Sequence, residues 1–301
     1  MSEETEDGLN EQLNNDLIAK LPIWRGAIEI EPLVGGLTNT NYLVRRGDEK
    51  FVVRLAQDIP QFHILRWNEV AASRAAHKVG ISPEVIHTES GVLVIRFIEG
   101  RTLEAADFKH VEQLDAAVGL VRRFQNEIPK VWQGPMLSVW PFQMVRSFGA
   151  WLDERECRLA KEWPEFLRIN DELESAVDPI SLSFCHNDLL PANFIDDGDR
   201  LWLIDWEYAG YSATLFDLAG ISSNSELGEA QEDYLLEAYL GSTASKELKR
   251  RYLAFVAVSA LQEAAWSMMQ EINASKEYDY VGYTDTCLKR LDVTLQRFRT
   301  A

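Results

Sequence analysis

The stretch "FCHNDLLPANFIDDGDRLWLIDWEYAG", residues 184–210, sets acids and amides among apolar runs. His186, Asp188 and Asn193 come first, and Asp205 follows on the far side of a turn. The flanking runs Ser183-Phe184-Cys185 and Leu201-Trp202-Leu203-Ile204 have the composition of short buried strands. A buried carboxylate is costly unless something pairs with it. A chain that places Asp188 and Asp205 here must therefore fold so that a counter-charge reaches both. The unit reads as strand, turn, strand, with Asn193 and Asp205 brought close on one side of it.

The rest of the chain narrows what that counter-charge is. The net charge is -18 over 301 residues, which argues against a nucleic-acid partner, since such partners need a basic face. Negative charge lining a cleft would instead concentrate cationic ligands. Three cysteines, Cys157, Cys185 and Cys287, have no metal-type spacing and fit a reducing, cytoplasmic setting. The five histidines form no H-x-x-x-H pair, so a zinc site is not expected. No apolar run approaches the ~20 residues of a membrane span. The acidic start, "MSEETEDGLNEQLNND", reads as neither a secretory signal nor a transit peptide. Residues 1–15 are expected to be a mobile acidic tail.

From Ile28 to Leu55 the pattern is strand, glycine loop, strand, turn, strand, with Tyr42 and Val44 on one face. Residues 68–79 predict a helix stopped by Gly80, and "PEVIHTESGVLVIRFIEG" a hairpin turning at Ser90-Gly91. After Gly100 the text becomes helical: Val111, Leu114, Val118, Val121 and Phe124 recur at helical spacing. The stretches 235–240, Leu248–Met269 and Tyr283–Phe298 follow suit, and 184–205 is the β-rich exception. The expected fold is α+β in two lobes, a small antiparallel β lobe over residues 16–99 and a larger, mainly helical lobe over 100–301. A hinge near Phe97–Gly100 joins them, and clefts between lobes are where ligands bind.

His186-x-Asp188, then Asn193, then Asp205 also has the spacing of a kinase catalytic loop and metal-binding aspartate. Phosphoryl transfer needs a group to orient the attacking hydroxyl and accept its proton, and oxygen ligands for magnesium. Asp188 suits the first need, Asn193 and Asp205 the second. His186 is better suited to bracing the loop backbone than to chemistry. Gly35, Gly36, Thr38, Asn39 and Thr40, lying between two strands, could cover phosphates. Asp205-Trp206-Glu207 lacks the glycine of D-F-G and no A-P-E follows, which argues against a protein kinase with a switchable activation loop.

"FCHNDLLPANF" with "LIDWEYAGY" resembles the choline/ethanolamine kinase family, within the aminoglycoside phosphotransferase-like small-molecule kinases. "VGGLTNTNYLV" resembles that family's nucleotide loop and "FDLAG" its helix-opening segment, so the resemblance runs from about Val34 to Arg297. It implies a two-lobed protein-kinase-like fold using ATP and magnesium, with Asp188 as base and Asn193 and Asp205 as metal ligands. It puts Arg54 where protein kinases have lysine, with Glu69 as its partner. Arginine keeps the charge but can clamp phosphate bidentately. It also implies that backbone groups of Phe97 and Ile98 meet adenine.

The implied acceptor is a cationic amino alcohol, choline first and ethanolamine second, with thiamine, an aminoglycoside or another hydroxyl compound as rivals. A catalytically silent binding protein on the same fold is the alternative outside the enzymes. Aromatic faces and carboxylates hold such cations, and the resemblance places Tyr208, Trp266 and Tyr283 in the pocket. Eukaryotic choline kinases have a second tryptophan where this chain has Glu263, and a pocket glutamate where it has Asn224. Both departures bear on which amine fits.

Overall fold

The computed structural model describes residues 3–33, 39–273 and 278–301. Gly35, Gly36 and Thr38 lie outside the described residues.

Five strands form one antiparallel sheet in the order β1-β2-β3-β5-β4: β1 (Glu29–Leu33), β2 (Thr40–Arg46), β3 (Glu49–Leu55), β4 (Val85–Glu89) and β5 (Val92–Arg96). Alternation decides what each face does, because successive side chains point to opposite sides. Tyr42, Val44, Phe51, Val53, Val92 and Val94 share one face and form a small core of their own. Leu33, Asn41, Arg54 and Leu93 are cross-strand partners on the opposite face, which stays open to a cleft.

The small core is capped by a helix where the sequence reading has a mobile tail. Helix α1 spans Glu3–Ala19, and Ile18 with the following Leu21 are buried against the sheet. Each such apolar side chain contributes about 1.5–3 kcal/mol on burial. The Asn14 side-chain amide donates to Tyr42 Oη at 3.0 Å, and Trp24 Nε1 donates to the Ile18 carbonyl at 2.6 Å.

Helix α2 (Arg66–Lys78) follows β3 through a single 3₁₀ turn at Pro60–Phe62. Its Ala72, Ala75 and Ala76, with Val79 after it, enter the larger core of the helical lobe rather than the core under the sheet. Small alanines let α2 sit close to α3 (Val111–Val131), whose Leu114, Val118, Val121 and Phe124 are buried as their spacing requires. The hairpin β4–β5 turns at Ser90-Gly91, where Gly91 has φ +76°.

The helical lobe continues with α4 (Pro141–Asp153), α5 (Trp163–Glu174), α6 (Thr214–Ser225), α7 (Glu229–Leu240), α8 (Lys246–Asn273) and α9 (Tyr280–Thr300). Helix α8 shows no narrow apolar stripe because it is covered on several sides, by α4, α5, α6 and α9. No described helix is long and apolar enough to cross a membrane.

The β-rich exception in this lobe is two small sheets rather than one hairpin. Strand β7 (Leu182–Cys185) pairs with β10 (Gly210–Ala213), whereas β8 (Phe194–Asp196) pairs with β9 (Leu201–Leu203) and with β6 (Arg101–Thr102). The loop from His186 to Asn193 therefore crosses from one sheet to the other. Gly100, at the end of the interlobe connection, packs on β8: a Cβ there would meet the Asp196 carbonyl and Ile195 Cγ2, each at 2.7 Å.

Candidate active site

Sheet and helical lobe enclose a cleft of about 560 Å³. The residues that position its chemistry come from the two small sheets. The pairing of β8 with β9 continues one residue past the strands, where the Ile204 amide donates to the Asn193 carbonyl at 3.0 Å. This puts Asn193 and Asp205 on neighbouring strand ends, as the sequence reading expects. Asp205 takes a left-handed backbone, φ 68°, which aspartate tolerates better than most residues. The turn out of β9 is held by Trp206, which is buried and donates from Nε1 to Ser82 Oγ at 2.7 Å. Ser82 Oγ in turn donates to the Leu203 carbonyl at 2.5 Å.

His186 braces this turn from the other strand. Its ring packs on Trp206 with centroids 4.6 Å apart, and Nε2 lies 2.9 Å from the Ile204 carbonyl, so Nε2 carries the hydrogen and donates. Burial lowers its pKa to about 4, and the ring is neutral at neutral pH. Beneath the loop sits Asp217, at the start of α6. It accepts the backbone N–H of Asn187 at 2.9 Å, that of His186 at 3.3 Å and the Gln125 side-chain amide at 3.2 Å. Burial raises Asp217 to about 6 even against these hydrogen bonds, so it remains a carboxylate at neutral pH. Asn187, at φ 66°, donates from its side chain to the Tyr208 carbonyl at 3.0 Å. Asp217→Ala would strip acceptors from two buried backbone amides and is expected to cost about 2–4 kcal/mol, read from urea unfolding, while lowering turnover by loosening the loop.

Asp188 projects from this braced loop into the cleft. The Asn193 amide donates to the Asp188 carbonyl at 2.8 Å and lies 3.4 Å from Asp188 Oδ2. That orientation leaves Asn193 Oδ1 without a hydrogen bond among the described residues, an oxygen able to ligate a cation. Burial raises the Asp188 pKa well above the ordinary carboxylate value, with further upward pushes from the charges of Glu263, Asp205 and Glu207. Burial acts the same way on Asp205, but the Arg54 charge and hydrogen bond outweigh it and hold this carboxyl below its usual value.

Arg54 comes from β3. Its Nη1 donates to Glu69 Oε1 at 2.5 Å and to Asp205 Oδ1 at 2.7 Å, and Nε donates to Asn41 Oδ1 at 3.3 Å. The expected Arg54–Glu69 pair is therefore present, and its reach extends across the cleft. Glu207 is raised to about 7, by burial and then by the neighbouring Asp205 charge.

Glu69, Asp188, Asp205, Glu207 and Glu263 all line the cleft, with Arg54 and Arg96 as the lining arginines. Arg96 is engaged outward with Glu84 and Glu49. These acids outnumber the arginines that reach them, Arg54 and, from outside the lining, Arg66; crowding helps raise Asp188 and Glu207, and a cationic ligand would favour their ionised forms.

Phe97 and Ile98 line the cleft as expected, although the Phe97 amide is already donated to the Lys50 carbonyl at 3.1 Å. Tyr208, Glu263, Trp266 and Tyr283 line the same cleft. Tyr283 Oη donates to Glu263 Oε1 at 2.7 Å, and burial pushes the Glu263 pKa up. The buried Tyr208 hydroxyl has no hydrogen-bond partner among the described residues.

Three expectations land elsewhere. Asn39 reaches Glu207 Oε2 at 3.4 Å from outside the cleft lining, and Thr40 opens β2 on the rim, in a separate shallow pocket with Gln57 and Gly91. Asn224 is not a pocket residue: its Oδ1 lies 3.5 Å from Arg290 Nη1, behind the cleft wall. It shares a face of α6 with Asp217 but sits two turns further on, about 10 Å along the axis. Sequence reasoning passed over Arg66, Asn187 and the bracing role of Asp217. Glu207 had a signal, an acid two residues after Asp205 in an apolar run, that pointed to the same wall.

Residues 29–255, more than half of the chain, match the model of the phosphotransferase enzyme family (APH). Protein LicA of Haemophilus influenzae is 29% identical over 276 residues, covering 87% of this chain and 78% of that protein. Ethanolamine kinase 2 of Mus musculus is 28% identical over 257 residues, covering 77% of this chain and 66% of that one. The crystal structure of a choline/ethanolamine kinase family protein from Mesorhizobium loti superposes with a TM-score of 0.75 at 27% identity, covering 97% of this chain and 99% of the other. With its two-lobed kinase-like architecture and its likeness to choline and ethanolamine kinases, this chain belongs to the phosphotransferase enzyme family.

Proposed function

We propose that the protein transfers the terminal phosphoryl group of ATP, with magnesium, to the hydroxyl of a small amino alcohol of the choline and ethanolamine class. The observation that carries this reading is that Asp188, Asn193, Asp205 and Arg54 open onto one cleft that Glu263, Tyr208, Trp266 and Tyr283 also line. In it, residues 16–99 bind the nucleotide and 100–301 carry the catalytic loop and acceptor site. The setting is cytoplasmic.

The donor set suits magnesium. Among the described residues no group of three or more His, Cys, Asp or Glu side chains is arranged to hold a metal alone. Magnesium does not need one: it takes one or two protein oxygens and leaves the rest to phosphates and water. Asp205 and Asn193 Oδ1 would supply those oxygens. When bound, the ion neutralises charge on the phosphate oxygens. Arg54 would turn its guanidinium to the phosphates. With the Phe97 amide engaged, adenine recognition falls to the remaining backbone groups of Phe97 and Ile98.

Asp188 orients the acceptor hydroxyl and takes its proton as the new O–P bond forms and the bond to the departing ADP breaks. Burial and the neighbouring acids make Asp188 a stronger base than a solvated carboxylate. Glu263 and the faces of Trp266, Tyr208 and Tyr283 hold the cationic end, each cation–π contact contributing about 0.5–2 kcal/mol.

ADP release measured over choline, ethanolamine, thiamine and an aminoglycoside tests the assignment. Turnover is expected with an amino alcohol of the first two kinds. Silence with both would remove that acceptor class, and no nucleotide binding in magnesium would support a silent binding protein. Glu263→Gln removes a charge while keeping the Tyr283 hydrogen bond. It is expected to raise the acceptor KM about tenfold and leave the nucleotide KM unchanged.

A further inference from the structure

Glu69 is gripped by two arginines. Its Oε1 takes Arg54 Nη1 at 2.5 Å and its Oε2 takes Arg66 Nη1 at 2.7 Å. The same Arg66 nitrogen donates to Glu207 Oε2 at 2.9 Å. Arg54 meanwhile reaches Asp205 Oδ1 at 2.7 Å. Helix α2 is thus tied to the segment after β9 twice, once through Arg54 and Asp205 and once through Arg66 and Glu207. All but Asp205 are strongly buried: the side chains of Arg54 and Arg66 are 13% exposed, Glu69 2% and Glu207 6%.

The two ties differ in what a ligand would do to them. The first is made of groups that face the cleft, and negative phosphates at Arg54 or a cation at Asp205 would compete with the bond between them. The second has its arginine outside the cleft lining. Arg66 is fixed there by its own surroundings: Nε donates to the Gln57 carbonyl at 2.9 Å, and its backbone amide donates to Asp58 Oδ1 at 2.7 Å. Its Nη2 is buried without a hydrogen-bond partner among the described residues. Leaving a charged donor unsatisfied sacrifices stability, so the placement serves geometry.

We propose that Arg66 is a positioning residue for phosphoryl transfer, holding Glu69 and Glu207 in register so that α2 stays seated while Arg54 and Asp205 exchange their mutual bond for ligand. This rests on the phosphotransfer reading above. Because Nη1 alone meets both carboxylates, lysine could supply the charge but not the Nε bond to the Gln57 carbonyl that aims it.

The full-length chain, its Arg66→Gln and its Arg66→Lys variants are compared with ATP and magnesium as probes. Arg66→Gln is expected to lose about a hundredfold in kcat with an unchanged acceptor KM, and Arg66→Lys to fall between. Amide exchange over Arg66–Lys78 supplies a readout independent of turnover. The variants should exchange faster than wild type chiefly with nucleotide bound, because without it the Arg54–Asp205 tie still holds. Equal acceleration with and without nucleotide in Arg66→Lys, or wild-type kcat in Arg66→Gln, would overturn the proposal and leave the kinase reading standing. If Arg66→Gln fails to fold, Arg66→Lys decides by the same comparison. Failure of the wild type itself to bind ATP with magnesium would overturn both.

Discussion

Asp188→Asn is expected to reduce turnover by about a thousandfold while leaving nucleotide affinity and fold intact. General-base catalysis contributes about 10²–10⁴-fold, and asparagine keeps the shape and can still accept from Asn193. Stability should move the other way from activity. Asp188 is disfavoured as an anion by burial and by Glu263, Asp205 and Glu207. Its folded-state pKa lies above the unfolded one, so its contribution is fully present at low pH and is lost as pH rises through the folded value. Removing the charge relieves that loss. The ligand-free variant should therefore unfold at the same temperature as wild type or higher at neutral pH, with a flatter pH profile, in a thermal melt. Near-normal turnover would refute the assigned role, and a lowered melting temperature would refute the electrostatic account of the cleft.

Asp205→Asn is expected to cost about 10²–10³-fold in kcat and to abolish the magnesium dependence of nucleotide binding measured by calorimetry. Asparagine is the informative replacement because it tolerates the left-handed backbone at φ 68° and retains an acceptor for Arg54. Here the sign of the pH effect reverses. Arg54 holds the Asp205 carboxyl below its usual value. That carboxyl stabilises the fold above about pH 4, its unfolded value, and the contribution is lost as pH falls through the folded value. Asp205→Asn should erase this acid-sensitive part of the wild-type profile. Asp205→Ala removes the acceptor as well and should destabilise more, because among the described residues it leaves Arg54 with Glu69 as its ion-pair partner. Unchanged magnesium dependence in Asp205→Asn would place the metal elsewhere.

How much of this was readable in the chain depended on distance along it. Tyr42 with Val44 announced a buried strand face because a period of two is local. Asp188, Asn193 and Asp205 were legible because one compact unit carries all three, although the strands around them proved to belong to two sheets. Arg54 and Glu69 were legible through the resemblance to kinases. Arg66 and Glu207 are 141 positions apart, and nothing local marks either as the other's partner. Helix α1 was hidden for another reason: its sequence is acidic and polar, and among the described side chains Ile18 and Asn14, with Leu21 just beyond the helix, make its contacts with the sheet and its small core. Asn224 was misplaced because a motif fixes an offset in sequence, whereas position along a helix fixes which wall a side chain joins.

The alanine face of α2 has a mechanical consequence. Ala72, Ala75 and Ala76 are sunk in the larger body, while Arg74 on the same helix donates to Thr88 Oγ1 of β4 at 3.0 Å, so α2 is the keystone between the lobes. Glu69 on this helix meets Arg54 of the sheet across that joint, and a probe of their contact would report on it.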